Sequence, residues 1–124
     1  MIANGKVVGF VATTDGKRAR AFYEGVLGLK VTNDDDFAVV LDSNGTTIRV
    51  SKVKDAVIAP YTVLGWQVAD VVAEVRRLRD RGVRFEKYEF LQQDDDAIWR
   101  TPGGARVAWF KDPDGNVLSL TQHP

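Results

Sequence analysis

At 124 residues the chain has room for one compact domain, or for two small similar modules, with a real core. Seventeen Lys and Arg balance seventeen Asp and Glu, so nothing favours nucleic acid or an anionic membrane as partner, and 44% apolar content is ordinary for a soluble globular protein. The absence of Cys excludes disulfides, thiolate metal sites and cysteine nucleophiles, and the single His, His123 near the C-terminus, leaves little basis for a His-centred site.

No signal-peptide pattern and no apolar run approaching ~20 residues is present, so a cytoplasmic protein is expected. Lys6 to Ala12 reads as a first strand. Thr13, Thr14 and Asp15 supply cap chemistry for a helix from about Gly16 to Leu27, with Ala19, Phe22, Tyr23, Val26 and Leu27 at helical spacing. Gly28 follows as the residue past the helix end. Leu29 to Thr32, Phe37 to Leu41 and Thr46 to Ser51 read as three strands. Asn33-Asp34-Asp35-Asp36 and Asp42-Ser43-Asn44-Gly45 are read as the turns between them.

The second half repeats this order. Tyr61 to Val68 reads as a strand, and Asp70 caps a helix to about Arg81 whose buried stripe is Val71, Val72, Val75 and Leu78. Gly82 ends it. Val83 to Tyr88, Ala97 to Thr101, Ala105 to Lys111 and Asn116 to Gln122 follow as strands, with Leu91 to Asp96 a polar loop and Pro102-Gly103-Gly104 a tight turn. In Asp112-Pro113-Asp114-Gly115 the Pro suits φ near −65° and the Gly admits positive φ, joining the last two strands as a hairpin. Asp15 lines up with Asp70, Gly28 with Gly82, and Val39 with Trp109. The chain is a β-α-β-β-β unit used twice, of α+β class, with a short joint from Lys54 to Pro60.

These residues resemble a family. Asp15 followed by Ala21-Phe22-Tyr23-Glu24-Gly25-Val26-Leu27-Gly28-Leu29, and Asp112-Pro113-Asp114-Gly115-Asn116 in the second half, are similar to paired motifs of the vicinal oxygen chelate superfamily. That superfamily holds glyoxalase I, the bleomycin-resistance proteins and extradiol dioxygenases. The resemblance runs from about Lys6 to Gln122 and implies two modules, about 6–53 and 61–122, in one domain. It also implies a curved, incomplete barrel of strands around a cleft, and a homodimer. Fold alone does not select among the superfamily's isomerases, lyases, dioxygenases, transferases and binders.

Metal-dependent members place His, Gln or Glu at four cleft positions, which the resemblance maps onto Val8, Arg49, Val63 and Ser119. Two valines offer no lone pair, a guanidinium stays protonated, and a lone hydroxyl is a poor divalent-metal ligand. No metal and no cofactor are therefore expected. The acidic runs Asp34-Asp35-Asp36 and Asp94-Asp95-Asp96 read as solvated turns, since neither has calcium-loop spacing.

Period-two alternation assigns Val8, Phe10, Ala12, Phe37, Val39, Thr47, Arg49, Ser51, Val63, Gly65, Gln67, Val107, Trp109, Val117, Ser119 and Thr121 to the cleft face. The opposite parity, from Val11, Ala38 and Val40 through Phe110, Leu118 and Leu120, is nearly pure apolar and suits packing under helices. Candidate ligand-binding residues are Phe10, Phe37, Val39, Arg49, Val63, Gln67, Trp99, Val107, Trp109 and Ser119. Trp109 and Phe10 could stack a planar ligand, Arg49 and Gln67 could fix its polar end, and Trp99 is placed as a lid or a dimer contact. Glu24, Tyr23 and Tyr61 are weak acid–base candidates. The expected function is metal-free binding or sequestration of a planar hydrophobic molecule such as an antibiotic. The alternatives are a cofactor-independent isomerase or lyase using Arg49 as an electrostatic clamp, and a ligand-free structural or regulatory dimer.

Overall fold

Both helices start on the same device. The computed structural model describes all 124 residues, and in it the Asp15 carboxylate accepts the Arg18 amide at 3.2 Å while the Asp70 carboxylate accepts the Ala73 amide at 3.1 Å. The two caps have φ/ψ of −144/96° and −140/96°, so the repeat extends to backbone geometry. Gly28 and Gly82, at φ 78° and 92°, leave the helical ends in the left-handed region.

Two compact units divide the chain at Ile58/Ala59. In the first, β1 (Val8–Thr13), β2 (Lys30–Asp34), β3 (Ala38–Ser43) and β4 (Thr46–Lys52) form an open sheet ordered β1-β4-β3-β2. In the second, β5 (Thr62–Gln67), β6 (Trp99–Arg100), β7 (Arg106–Lys111) and β8 (Val117–Gln122) give the corresponding order β5-β8-β7-β6. The outer pairs β1–β4 and β5–β8 are parallel and the rest antiparallel. One helix accompanies each sheet, α1 (Gly16–Arg20) and α2 (Val71–Asp80). Neither is long and apolar enough to cross a membrane.

The first helix does not run on as an α-helix to Leu27. From Ala21 to Val26 it widens to a π-helix, with the Leu27 amide bonded to the Phe22 carbonyl five residues back. The wider turn rotates the apolar stripe. Tyr23 is fully buried, which removes it as an acid–base candidate, while Val26 and Leu27 remain half-buried.

Turn length then decides which residues share a face. In the first unit Ser43 pairs with Thr46, so the turn is only Asn44-Gly45, with φ of 48° and 91°. Asp42 and Ser43 are strand residues, not turn residues. A two-residue turn pairs even positions of β3 with odd positions of β4: Val40 lies opposite Arg49, and Val39 opposite Val50. Val39 therefore belongs to the covered face with Val11, Leu41, Ile48 and Val50, and it is completely buried. This corrects its assignment to the ligand face, and Ala38 and Val40 are exchanged with it. In the second unit Lys111 pairs with Val117 across a five-residue turn, which keeps parity. Ala108, Phe110, Leu118 and Leu120 are buried as expected, and burying four such side chains contributes several kcal/mol, at ~25 cal/mol per Å².

The strand expected at Val83 to Tyr88 does not form. Phe85 makes a single bridge to Phe110, and the Glu86 amide bonds the Trp109 carbonyl. The Gln93 side chain meets the neighbouring backbone groups, accepting from the Tyr88 amide at 2.7 Å and donating to the Glu86 and Ala97 carbonyls at 2.9 Å. A side chain thus supplies what a strand partner would have supplied. The strand expected at Ala97 to Thr101 is correspondingly short, limited to Trp99–Arg100.

Candidate functional site: an aromatic face on the second sheet

Register places Gly65, Gln67, Val107, Trp109, Ser119 and Thr121 on one face of the second sheet. Trp99 joins them as the partner of Val107. The ladder is irregular between Thr62 and Leu64, so Thr62 sits beside Val117 and Val63 falls in the bulge without a ladder partner. At the start of this strand it is Thr62, not Val63, that lines the cavity beside Trp109.

Trp109 is its centre. The indole Nε1–H donates to Thr62 Oγ1 at 3.0 Å. Trp109 stands on β7 and Thr62 on β5, with β8 between them. Since neighbouring strands are about 4.8 Å apart, the ring must lie across β8. The residues it crosses, Ser119 and Val117, are short side chains and buried, at 8% and 6% exposed. A Cβ on Gly65 would clash with the Ser119 hydroxyl, so the bare glycine makes room for that side chain. Trp99 stacks on Trp109 at 6.1 Å and 29°. Tyr88 meets it edge-on at 5.5 Å, and Phe90 continues the row at 5.5 Å from Tyr88.

Beside this row lies an open cavity of about 230 Å³, lined by Pro60, Tyr61, Thr62, Tyr88, Phe90, Leu91, Trp109 and Val117. Burial, with a smaller push from the Glu86 charge, raises the Tyr88 phenol above its ordinary value, so it stays protonated at neutral pH. Phe90 and Tyr61 are largely exposed, at 81% and 68%. The lining is thus an apolar aromatic surface with phenol and hydroxyl groups at its edge, the make-up of a small-molecule site.

Of the ten candidate ligand residues, only Trp109 lines this cavity. Trp99 contributes the stacked ring, while Val107, Ser119 and Gln67 share its face of the sheet. Phe10 and Arg49 are cross-strand partners on the first sheet, where Arg49 is half-buried between Phe10 and Val40. No ion pair reaches Arg49; its charge acts on Asp35, whose carboxyl is held low mainly by the Phe37 and Ala38 amides. Phe37 precedes β3 and is 73% exposed. Sequence reasoning missed Thr62, Tyr88, Phe90 and Leu91; the pair Tyr88/Phe90 beside a polar loop was the available signal.

The side chains of Val8, Arg49, Val63 and Ser119, the positions expected from the family resemblance, do not by their chemistry make a donor set for a divalent metal. No three His, Cys, Asp or Glu side chains are grouped as a metal cluster elsewhere. The acidic runs have structural partners. Asp34 binds Lys52 at 2.8 Å and Arg20 at 3.0 Å, and Asp96 binds Arg79 at 2.9 Å and Arg76 at 3.2 Å.

The fold matches solved structures along its length. A superfamily member from Sphaerobacter thermophilus DSM 20745 aligns with a TM-score of 0.78 and 22% identity, covering 99% of this chain and 100% of that one. TnmS3, an antibiotic binding protein from Streptomyces sp. CB03234, aligns at 0.77 and 24%, covering 100% and 99%. A lactoylglutathione lyase from Agrobacterium tumefaciens aligns at 0.73 and 17%, covering 96% and 93%. No curated relative matches the sequence. The model of the Glyoxalase/Bleomycin resistance protein/Dioxygenase superfamily matches residues 6–120, and the chain belongs to that superfamily.

Proposed function

We propose that this protein binds a planar, hydrophobic small molecule against the aromatic face of its second module, without a metal. The observation that carries the reading is the Trp99–Trp109–Tyr88–Phe90 row beside an open apolar cavity, its central ring fixed by Thr62. Stacking on a pre-positioned ring contributes affinity without the entropy loss of ordering a mobile side chain, worth about 0.5–1.5 kcal/mol per contact beyond area burial. Likeness to an antibiotic binding protein fits sequestration, which requires affinity alone. The donor-poor residues at the superfamily's metal positions support a metal-independent mode. Elemental analysis of the purified protein tests this part, and a stoichiometric transition metal would overturn it.

A second reading rests on Arg49. A half-buried guanidinium flanked by Phe10 and Val40 and lacking an ion pair is suited to an oxyanion, whether held as a bound group or developing in a reaction. Arg49→Met separates the readings. It abolishes turnover or anionic-ligand binding if Arg49 is the clamp, and leaves stacking of neutral aromatic compounds unchanged if the aromatic row suffices.

A further inference from the structure

We propose that the Arg100–Arg106 pair, on the opposite face of the second sheet from the aromatic row, is a binding site for a small oxyanion, a phosphate or carboxylate group. The two arginines are direct cross-strand partners in β6 and β7. Like charges in that relation destabilise a sheet unless something neutralises them. Their parity is that of Ala108 and Phe110, whereas Trp99 and Trp109 have the other, so this site is distinct from the aromatic one.

Three of the neighbouring side chains that could accept are already engaged. Both oxygens of Asp96 bind the helix arginines, Oδ2 to Arg76 and Oδ1 to Arg79. The Gln93 carbonyl oxygen takes the Tyr88 amide, and that of Gln122, opposite Arg106 on β8, takes the Val71 amide at 2.9 Å. Asp94 is the one carboxylate in the lining. Its Oδ1 accepts the Asp96 and Ile98 amides at 2.9 Å, and neither of its oxygens is ion-paired with Arg100 or Arg106. Neither arginine has an ion pair or side-chain hydrogen bond of its own, and Arg106 is half-buried.

What remains is space. Gln92, Gln93, Asp94, Ile98, Arg100 and Arg106 line a cavity of about 400 Å³. The Lys87 ammonium, bonded to the Asp94 carbonyl at 2.8 Å, adds positive charge beside it. Two guanidinium forks lining one recess match the bidentate geometry of phosphate and carboxylate, which a single ammonium does not. Arg100, Arg106 and Lys87 against the single carboxylate of Asp94 leave an excess of positive charge for one compact anion to balance.

The test is titration of the full chain with inorganic phosphate and, separately, with succinate, following backbone amides of residues 98–107 and the arginine Nε–H signals by NMR. Sodium chloride at matched ionic strength is the control. Saturable shifts with phosphate or succinate, weakened at least tenfold in Arg106→Gln and in Arg100→Gln but retained in Trp109→Ala, support the site and show which anion class it prefers. Shifts that chloride reproduces, or that persist in the double Arg100→Gln/Arg106→Gln variant, overturn it. Thermal unfolding provides a second readout. Without added anion, Arg100→Glu raises the midpoint by relieving the like-charge pair, and a lowered midpoint contradicts the premise.

Discussion

One row of three residues crosses the middle of each sheet, and the two rows differ in kind. In the first module it reads Phe10, Arg49, Val40; in the second, Gly65, Ser119, Trp109. The first row fills its central position with a long cation and its flank with an exposed ring. The second empties both places, and the large residue on the third strand lays its ring across the gap to reach Thr62. Duplicated backbone geometry thus supports one surface built around a charge and another built around stacked aromatics. The difference lies in side-chain volume at equivalent places, not in the fold.

The hairpins that close the two sheets differ as well. The first uses only Asn44-Gly45, whereas the second is organised by one buried carboxylate. Asp112, 5% exposed, accepts the Asp114 and Asn116 amides at 3.0 and 2.9 Å on Oδ1 and the Asn116 side-chain amide at 2.8 Å on Oδ2. Asp112→Ala leaves these donors unmatched in a buried place, so it should cost about 2–4 kcal/mol of stability in urea unfolding, the largest effect foreseen. A loss below ~1 kcal/mol would place the turn's stability in the backbone bond from Gly115 N–H to the Asp112 carbonyl instead.

The contrast between the rows is open to a steric test. Ser119→Leu fills the gap under the indole, breaks the bridge to Thr62 and costs about 1–3 kcal/mol by overpacking. The tryptophan signals of the near-UV circular dichroism spectrum should change with it. Arg49→Met, at the matching place in the first module, should change stability by less than about 1 kcal/mol, because a cation without an ion pair gives up little when replaced by an apolar chain of similar length. Equal effects at the two places would erase the distinction.

Thr62→Val isolates the hydrogen bond from the stacking. It removes the acceptor for the indole N–H and should cost about 0.5–1.5 kcal/mol, with a comparable loss of aromatic-ligand affinity, while Thr62→Ser restores both. The smallest effect concerns acid stability. Asp96 has its carboxyl held low, first by its hydrogen bond with Arg76 and then by that with Arg79. Its folded pKa is therefore below the unfolded value. The pairing stabilises the fold above the unfolded pKa, near ~3.9, and that contribution is lost as pH falls through the folded one. Both arginines are largely exposed, so Asp96→Asn should remove only about 0.5 kcal/mol at pH 7 and flatten the stability profile below pH ~4.

The paired modules, both helix caps and the covered face of the last hairpin were legible in the sequence because each rests on local chemistry: an Asp before an amphipathic run, a Gly after it, a five-residue turn between alternating strands. Val39 was misplaced because the odd-with-odd pairing that suits the five-residue second turn was carried over to the first, where a turn of four residues or of two alike pairs odd positions with even ones. Thr62 was hidden by a bulge, which alternation cannot foresee. Tyr88 and Phe90 were obscured because Gln93, a side chain from a loop, replaces a strand in holding their segment. Trp109 was legible because it lies where parity is preserved.

The central claim, that the Trp109 face binds planar hydrophobic molecules without metal, is tested most directly by tryptophan-fluorescence titration against a panel of planar aromatic compounds in buffer containing a metal chelator. Saturable quenching that is indifferent to the chelator and reduced at least tenfold in Trp109→Ala is the predicted result. Binding that appears only when a divalent metal is restored, or that survives undiminished in Trp109→Ala, would contradict it.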